Sequence, residues 1–282
     1  MGKTKIILSI LLLNILFANG TFAQQQSSPG FYVKVYGGYG LLTPGSYNGG
    51  ASYNSSSSTS SFSTPSNGLG GGLHFGGGIG IILNEFLNVG IDAEYLKGKD
   101  IKTTSLYQAS DYYSISNNKI SHNVTSIIPN VTFKAISKPA YYIYTRIGIV
   151  LAVSTNITTT YNDSSNNTST TPNTVYTYVQ SGKYTTKLSF GTSAAIGVQF
   201  NISGNLKGFA ELVGYYLPSS PSSYTYNYNY QYTGPSPSNG SGSVTYNYVK
   251  SGDYTGSSPY NTPKITNNIN YIGLNLGVAY KF

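Results

Sequence analysis

Five charged side chains stand at alternate positions inside segments that are otherwise apolar or small. They are Lys34, Asp92, Glu94, Arg146 and Glu211. The neighbours on the other phase are mostly apolar, so these charges share the opposite face of predicted strands. Because an unpaired charge in a narrow interior is very costly, the pattern predicts a salt-bridge network, which Lys207 could join. A charged constriction that lines a pore is the functional alternative.

Metal chemistry and nucleophilic catalysis are not indicated. The chain has two histidines, His74 and His122, and no cysteine, whereas a zinc site needs three or four converging ligands. Ser121, His122 and Ser126 are close in sequence, but no acidic residue is obviously paired with them. Serine is abundant, so this proximity is expected by chance. We therefore expect isolated histidines, no cofactor and no enzyme activity.

Regularly spaced tyrosines form a second candidate site. The segment YTYNYNYQY, residues 224–232, is followed by GPSPSNGSGS, which is a turn signal. The stretch YTYVQSGKYT at 176–185 recurs as YNYVKSGDYT at 246–255. These patterns predict two hairpins that extend neighbouring strands, with tyrosines on one face. The candidate binding residues are Tyr176, Tyr178, Tyr224, Tyr226, Tyr228, Tyr230, Tyr232, Tyr246 and Tyr248.

Two interpretations of these tyrosines remain open. Tyrosine supplies contact area at low entropic cost together with a hydroxyl group, so the face could bind sugars, peptide strands or another cell surface. Alternatively, the extended strands only shield the structure below them.

The elements that position these residues are predicted strands with a period of two residues. Eight such segments occur, at 31–41, 68–83, 87–96, 125–134, 141–153, 187–200, 206–217 and 271–282. Three connections between them are short, and four are long, at 42–67, 97–122, 154–186 and 218–264. Pro129 lies inside the fourth strand, where it cannot donate to a ladder, and predicts a local bulge.

The composition agrees with an all-β chain and argues against nucleic-acid binding. Charged residues make up only 9% of the chain, compared with about 25% in typical soluble domains. There are 33 glycines and 29 tyrosines but no tryptophan. The net charge is +8, yet the basic residues are scattered singly. A nucleic-acid footprint requires clustered lysines and arginines.

The first residues have the features of a secretory signal peptide. Lys3 and Lys5 precede a short apolar run, and Thr21-Phe22-Ala23 is a small-x-small cleavage site. We expect residues 1–23 to be removed and residues 24–282 to form a single domain. No later run approaches a transmembrane helix, so a membrane-embedded mature chain would have to be a closed β-barrel.

Two β architectures compete, a soluble sandwich and a membrane barrel, and the second strand favours the barrel. Its second face carries glycines at positions 68, 70, 72, 76, 78 and 80. Glycines give water little to solvate, but inside a narrow barrel they leave room for large neighbours such as Tyr32 and Tyr36.

Apolar-face aromatics also cluster at strand ends, as in the two interfacial girdles of a barrel. These are Phe31, Phe133, Tyr141, Phe200, Tyr280 and Phe282 at one end and Tyr39, Tyr95 and Tyr216 at the other.

The segments FYVKVYGGYG, NVGIDAEYL, YIYTRIGIVLAV and the terminal LGVAYKF resemble the small OmpA-like outer-membrane β-barrel proteins of Gram-negative bacteria. The resemblance covers the strands and not the long loops. It implies an eight-stranded antiparallel up-and-down transmembrane barrel, with short periplasmic turns and long extracellular loops. It also implies that the last strand, with Tyr280 and Phe282, is read by the outer-membrane assembly machinery.

The sequence thus predicts a non-enzymatic protein of the Gram-negative outer membrane, with a plugged polar interior and long surface loops. Its partners would be outer-membrane lipid, the assembly machinery and an extracellular ligand or surface. Envelope structure, adhesion or surface binding is the expected role, and a small porin that passes solutes is the alternative.

Overall fold

The computed structural model describes residues 30–43, 52–56, 60–63, 68–250 and 260–282. The predicted signal peptide at 1–23 lies outside the described residues, as do most of the first long loop and the second half of the repeat at 246–255.

All regular structure in the described residues is β. The strands are β1 (Gly30–Leu42), β2 (Ser52–Ser56), β3 (Ser60–Ser63), β4 (Gly72–Ile82), β5 (Leu87–Gly98), β6 (Ile101–Gln108), β7 (Tyr112–Ser137), β8 (Tyr141–Asn167), β9 (Thr174–Thr186), β10 (Ser189–Ser203), β11 (Leu206–Ser219), β12 (Pro221–Thr233), β13 (Ser238–Val249), β14 (Asn261–Pro263) and β15 (Asn267–Lys281). No helix in this part of the chain is long and apolar enough to cross a membrane.

The predicted total of eight strands is therefore wrong, because fifteen strands in the described parts of the chain belong to one sheet. The difference arises in the segments expected to be loops. Alternating tyrosine, threonine, serine and asparagine favours extended backbone, and these segments find ladder partners beyond the eight predicted strands.

Eight of the fifteen strands pair in a cycle. The antiparallel pairs are β1–β4, β4–β5, β5–β7, β7–β8, β8–β10, β10–β11, β11–β15 and β15–β1. Each strand predicted from the sequence overlaps one member of this set, which we call the eight-strand ring. The last strand of the chain pairs with the first, with Tyr280 opposite Val33.

The two faces of the ring strands differ sharply in chemistry. Side chains on one face are exposed and apolar, including Val35 at 60%, Ile149 at 56% and Leu276 at 67%. Side chains on the other face are buried and include charged residues such as Asp92 and Arg146. This is the reverse of a water-soluble sheet, in which the apolar face is buried.

Glycines on β4 make room for large side chains on the buried face. A Cβ atom at Gly76 would lie 2.6 Å from the ring of Tyr36, and Cβ atoms at Gly78 and Gly80 would meet Asp92 and Tyr32. The glycine face of this strand therefore accommodates its neighbours, as the sequence predicted.

The longest strands extend beyond the ring into a second part of the sheet. In β8, residues up to Ala152 pair with β10, whereas Ile157–Asn167 pair with β9. β9 then pairs with β12, and β12 pairs with β13 in an antiparallel hairpin. We call β9, β12, β13 and the paired ends of β7 and β8 the outer sheet. It lies on the side away from the short turns.

Pro129 does not produce the predicted bulge. Ile127 pairs with Leu151 and Asn130 with Gly148, so the register is the same on both sides of the proline. The side-chain amide of Asn130 donates to the carbonyl of Ile128 at 2.9 Å, which satisfies a backbone group beside the interruption. The irregularities of β7 lie elsewhere, at Thr125/Ser126 and Lys134/Ile136.

Candidate functional site

The structure places four of the five predicted charges in one ion-paired cluster inside the ring. Lys34 Nζ lies 2.9 Å from Asp92 Oδ2, and Arg146 Nη1 lies 3.1 Å from the same oxygen. Arg146 also contacts Glu211 with two nitrogens, at 2.6 Å and 3.0 Å. All four side chains are at most 9% exposed. Two positive and two negative charges balance, which a water-poor interior requires.

Hydroxyl and amide groups add hydrogen bonds to the carboxylates of this region, although the buried Oδ1 atom of Asp92 has no partner in the described structure. Tyr144 donates to Glu211 at 2.9 Å, and the Asn275 amide donates to it at 3.3 Å. Glu94 forms no ion pair in the described part of the chain. Instead it accepts hydrogen bonds from Tyr36 at 3.0 Å and Tyr271 at 3.2 Å. Lys207, which was expected as a possible member, donates to the Gly204 carbonyl outside the cluster.

Sequence reasoning missed Tyr271 and Asn275 as partners of the carboxylates. Both lie on the phase of Gly273 and Gly277 in β15, which the alternation assigns to the buried face. The alternation therefore indicated that both residues are buried. They were missed because they are uncharged polar residues among glycines.

Beyond the charged cluster, toward the outer sheet, much of the ring interior is apolar. Leu96 and Val150 follow Glu94 and Arg146 on the same phase of their strands. The buried apolar residues at this level include Leu69, Leu96, Ile128, Val150, Leu217 and Ile269, all at most 1% exposed. The polar interior that the sequence predicts is therefore interrupted by a layer of packed apolar side chains. Buried polar residues such as His74 and Ser126 also lie in this part of the ring.

The two histidines and Ser121 each contact other polar or aromatic groups. His74 lies against Asn275 and stacks on the ring of Tyr271, and His122 accepts a hydrogen bond from the Gly70 backbone at 2.9 Å. Ser121 donates to Asp100 at 2.7 Å. The described residues contain no group of three or more His, Cys, Asp or Glu side chains that could hold a metal ion.

The candidate tyrosines share one face of the outer sheet. Tyr224 is opposite Tyr184 in β9 and Tyr246 in β13, and Tyr230 is opposite Tyr178 and Gly240. On this face β9, β12 and β13 carry tyrosine, glycine, serine, threonine, glutamine and valine, with no charged side chain. We call it the tyrosine face. The opposite face of β12 carries Thr225, Asn227, Asn229 and Gln231.

Several tyrosine rings of this face lie over glycines. A Cβ atom at Gly240 would be 2.7 Å from the ring of Tyr230, and one at Gly242 would be 2.7 Å from the hydroxyl of Tyr228. Neighbouring rings are nearly parallel, with 16° between Tyr178 and Tyr228 at 6.2 Å. Rings that lie along the sheet keep one face toward the backbone and turn the other away from it.

Hydrogen bonds fix part of the tyrosine face. Tyr224 contacts Thr159 at 2.7 Å and accepts from Gln180 at 3.1 Å, and Tyr178 donates to Gln180 at 3.0 Å. Packing among the rings, with a further hydrogen bond to Tyr246, raises the pKa of Tyr226 to about 12. The Tyr226 hydroxyl therefore remains uncharged at neutral pH.

The two residues of the predicted assembly signal lie on the exposed face at the end of β15. Tyr280 is 42% and Phe282 is 71% exposed, and their rings contact each other at 4.9 Å. The Phe282 amide donates to the Phe31 carbonyl at 2.9 Å. Their recognition by an assembly machinery stays a prediction.

Comparison with known proteins does not assign a family. No family model and no curated protein matches the chain. A major outer membrane protein from Thermus thermophilus is similar with a TM-score of 0.37 and 12% identity, over 91% of this chain and 100% of that chain. The outer membrane protease OmpT from Escherichia coli gives a TM-score of 0.24 and 9% identity, over 90% and 95% of the two chains. Similarity this low establishes neither a shared family nor a shared function.

Proposed function

We propose that this chain is a non-enzymatic outer-membrane protein of a Gram-negative bacterium, and that the eight-strand ring is a closed transmembrane barrel. The observation that carries this proposal is the reversal of the two strand faces. Apolar side chains such as Val35, Ile149 and Leu276 are exposed around the ring, while charges are buried inside it. An apolar surface that encircles a molecule needs lipid and not water as its solvent.

The dimensions of the ring support this assignment. In β1 the exposed apolar face runs from Phe31 to Leu41, and ten residue steps of a strand span about 33 Å. At the tilt of about 40° that is usual in barrels, this gives a belt roughly 25 Å tall, the height of the apolar band of outer-membrane barrels. Phe31 and Tyr39 lie near its two ends, where interfacial aromatics belong.

The filled interior favours a closed structural or binding protein over a porin. Residues of the charged cluster occupy one level, and the packed side chains of Leu96, Val150 and Leu217 occupy the next. An eight-stranded barrel is just wide enough for side chains to fill it. A solute path would require both levels to move apart.

The tyrosine face is the surface that we propose binds a ligand outside the cell. The long strands that carry it project from the end opposite the short turns, and this is the extracellular end in such barrels. The chemistry of the face favours a neutral, hydroxyl-rich glycan chain. No basic side chain on this face of β9, β12 and β13 offers an anionic partner a counter-ion, and Asp163 of β8, opposite Tyr178, is acidic. Flat rings can pack against sugar C–H groups, and hydroxyls can bond to sugar hydroxyls.

A matched pair of variants tests this function in the refolded full-length protein. In one, Tyr226, Tyr228 and Tyr230 are replaced by leucine, which removes the rings but keeps apolar volume. In the control, Thr225, Asn227 and Asn229 on the opposite face are replaced by alanine. Binding of linear neutral glucan oligosaccharides and of the anionic polysaccharide alginate is measured by calorimetry.

We expect the neutral glucans to bind and the tyrosine variant to lose about 100-fold in affinity, since a contributing ring is worth on the order of 1 kcal/mol. The control should bind like the parent. Equal loss in both variants, or stronger binding of alginate than of neutral glucans, would contradict the assigned ligand chemistry. A change in self-association of the tyrosine variant alone would identify a second copy of the chain as the partner.

A further inference from the structure

A polar cavity opens at the short-turn end of the ring, below the charged cluster. Its lining includes Tyr32, Asn88, Thr132, Tyr142, Gln199 and Lys281. The cavity is separate from the tyrosine face, which lies at the other end of the strands. Lys34, Arg146 and Glu211 form its inner wall, but their charges already satisfy one another there.

Two lysines contact the ring of Tyr142, one of the residues that line this cavity. The ammonium nitrogen of Lys281 lies 4.9 Å from the centre of the Tyr142 ring, and that of Lys134 lies 5.2 Å from it. Their like charges act unfavourably on each other, and Lys207 adds to this repulsion on Lys281. Both ammonium groups make cation–π contact with Tyr142, so two positive charges lie near this ring.

No acidic group neutralises this pair. In the described part of the chain, no carboxylate oxygen lies within 4.0 Å of either ammonium nitrogen. Glu85, in the turn between β4 and β5, acts on Lys134 only at longer range. This contrasts with the charged cluster above, where every lysine and arginine is paired. The mouth therefore has positive charge available for an external anion.

Hydrogen-bond acceptors inside the cavity are also without partners. Asn88 and Gln199 are 5% and 6% exposed, and their side-chain oxygens accept no hydrogen bond in the described structure. Leaving a buried polar atom without a partner is unfavourable. A ligand that satisfied them would have to bring hydrogen-bond donors as well as negative charge.

We propose that this mouth is a binding site for a hydrogen-phosphate group. Its anionic oxygens would lie against the ammonium groups of Lys134 and Lys281. Its P–OH, or a hydroxyl of the group that carries it, would donate to the oxygens of Gln199 and Asn88. This chemistry is shared by free inorganic phosphate and by the phosphomonoester headgroup of a lipid, and the experiment below distinguishes these two sources.

The test uses the refolded full-length protein in detergent, with inorganic phosphate as the first probe and chloride at equal ionic strength as the reference. The first variant is Lys281→Gln, and the matched control is Lys138→Gln, which removes the same charge from the adjacent β7–β8 turn. Gln199→Leu is a second variant, which removes an unpartnered acceptor and leaves the charge unchanged. Heat-modifiable migration in a gel verifies that each protein is folded.

We expect saturable phosphate binding that chloride does not replace. Lys281→Gln and Gln199→Leu should each weaken this binding about tenfold, as expected for loss of one hydrogen bond to a charged group. Lys138→Gln should leave the affinity unchanged. A second arm repeats the titration with detergent micelles that contain phosphatidic acid. Binding of free phosphate identifies a soluble source, and binding of phosphatidic acid alone with the same sensitivity to Lys281→Gln identifies a lipid.

Two results would overturn the proposal. One is the absence of saturable binding in both arms with the folded parent protein. The other is an equal effect of Lys281→Gln and Lys138→Gln, which would show diffuse charge attraction and no built site. Both are independent of glucan binding, which reports on the opposite end of the molecule.

Discussion

At the residue scale, the charged cluster behaves as a unit because its charges are buried and share partners. Replacing Arg146 with methionine would leave Asp92 and Glu211 without their common cation. Breaking a buried pair from one side costs about 3–5 kcal/mol. We therefore expect Arg146→Met to lower the free energy of unfolding by that amount, measured by urea titration of the refolded protein.

The matched control for this prediction is the exposed pair between Lys119 and Asp100. Their nitrogen and oxygen lie 3.0 Å apart, but the side chains are 47% and 38% exposed. Solvent screening reduces such pairs to about 0–1 kcal/mol, so Lys119→Met should have little effect. If the two variants proved equally stable, the interior cluster would not be desolvated as the structure indicates.

The same surface pair gives a prediction about pH. Hydrogen bonds from Ser121 and then from Lys119 lower the pKa of Asp100 below its ordinary value. A lowered carboxyl pKa contributes stability that is present above the unfolded-state pKa and is lost as pH falls through the folded-state pKa. Ser121→Ala should therefore raise the Asp100 pKa toward its ordinary value, as followed by the side-chain carboxyl carbon shift in NMR. An unchanged titration would show that this hydroxyl does not bond to the carboxylate.

At the element scale, the outer sheet depends on the ring, but the ring does not depend on the β12–β13 hairpin. β12 pairs only with β9 and β13 in the described sheet, whereas every ring strand has two ring neighbours. Removing residues 224–246 should therefore leave a barrel that folds and shifts on heating in a gel, but binds no glucan. Failure of the shortened chain to fold would mean that the hairpin is part of the folding unit.

The ring strands were predictable because apolar residues alternate with small or polar residues in each of them. Val33, Val35 and Tyr39, for example, mark one face of β1 without reference to any partner. The two predicted hairpins are present as the β8–β9 and β12–β13 pairs. The pairing of β9 with β12 was not predicted, because the period of a strand does not specify its neighbour. β9 continues into β10 and β12 follows β11, so the β9–β12 pairing continues the β10–β11 pairing of the ring.

The candidate sites were predictable to different degrees. The interior cluster was predictable because Lys34, Asp92 and Arg146 lie on the inward phase of their strands. Inside a narrow space these charges have few other groups with which to pair. The apolar layer was overlooked because Leu96 and Val150 resemble outward residues when their phase is not followed to the end of the strand. The lysine pair at the mouth depends on Tyr142, which only the folded ring brings beside Lys134 and Lys281.

At the scale of the whole molecule, the filled interior predicts that the folded protein does not conduct. The charged cluster and the layer that includes Val150 and Leu217 occupy successive levels across the ring. In planar bilayers, protein that shows heat-modifiable migration should give no stable channel steps. Reproducible conductance would make Lys34, Asp92, Glu94, Arg146 and Glu211 the lining of a pore and would favour the porin alternative.

The central claim is that the ring spans the outer membrane with the outer sheet outside the cell. Because the chain has no cysteine, single introduced thiols report on this directly, through labelling with a membrane-impermeant maleimide. We expect Asn229→Cys, in the outer sheet, to react on intact cells. Asn84→Cys, in a short turn, should react only after the outer membrane is permeabilised, and Leu276→Cys, on the belt, only after the protein is unfolded. Labelling of Leu276→Cys in the folded protein on intact cells would show that the apolar belt faces water, and would contradict the transmembrane barrel.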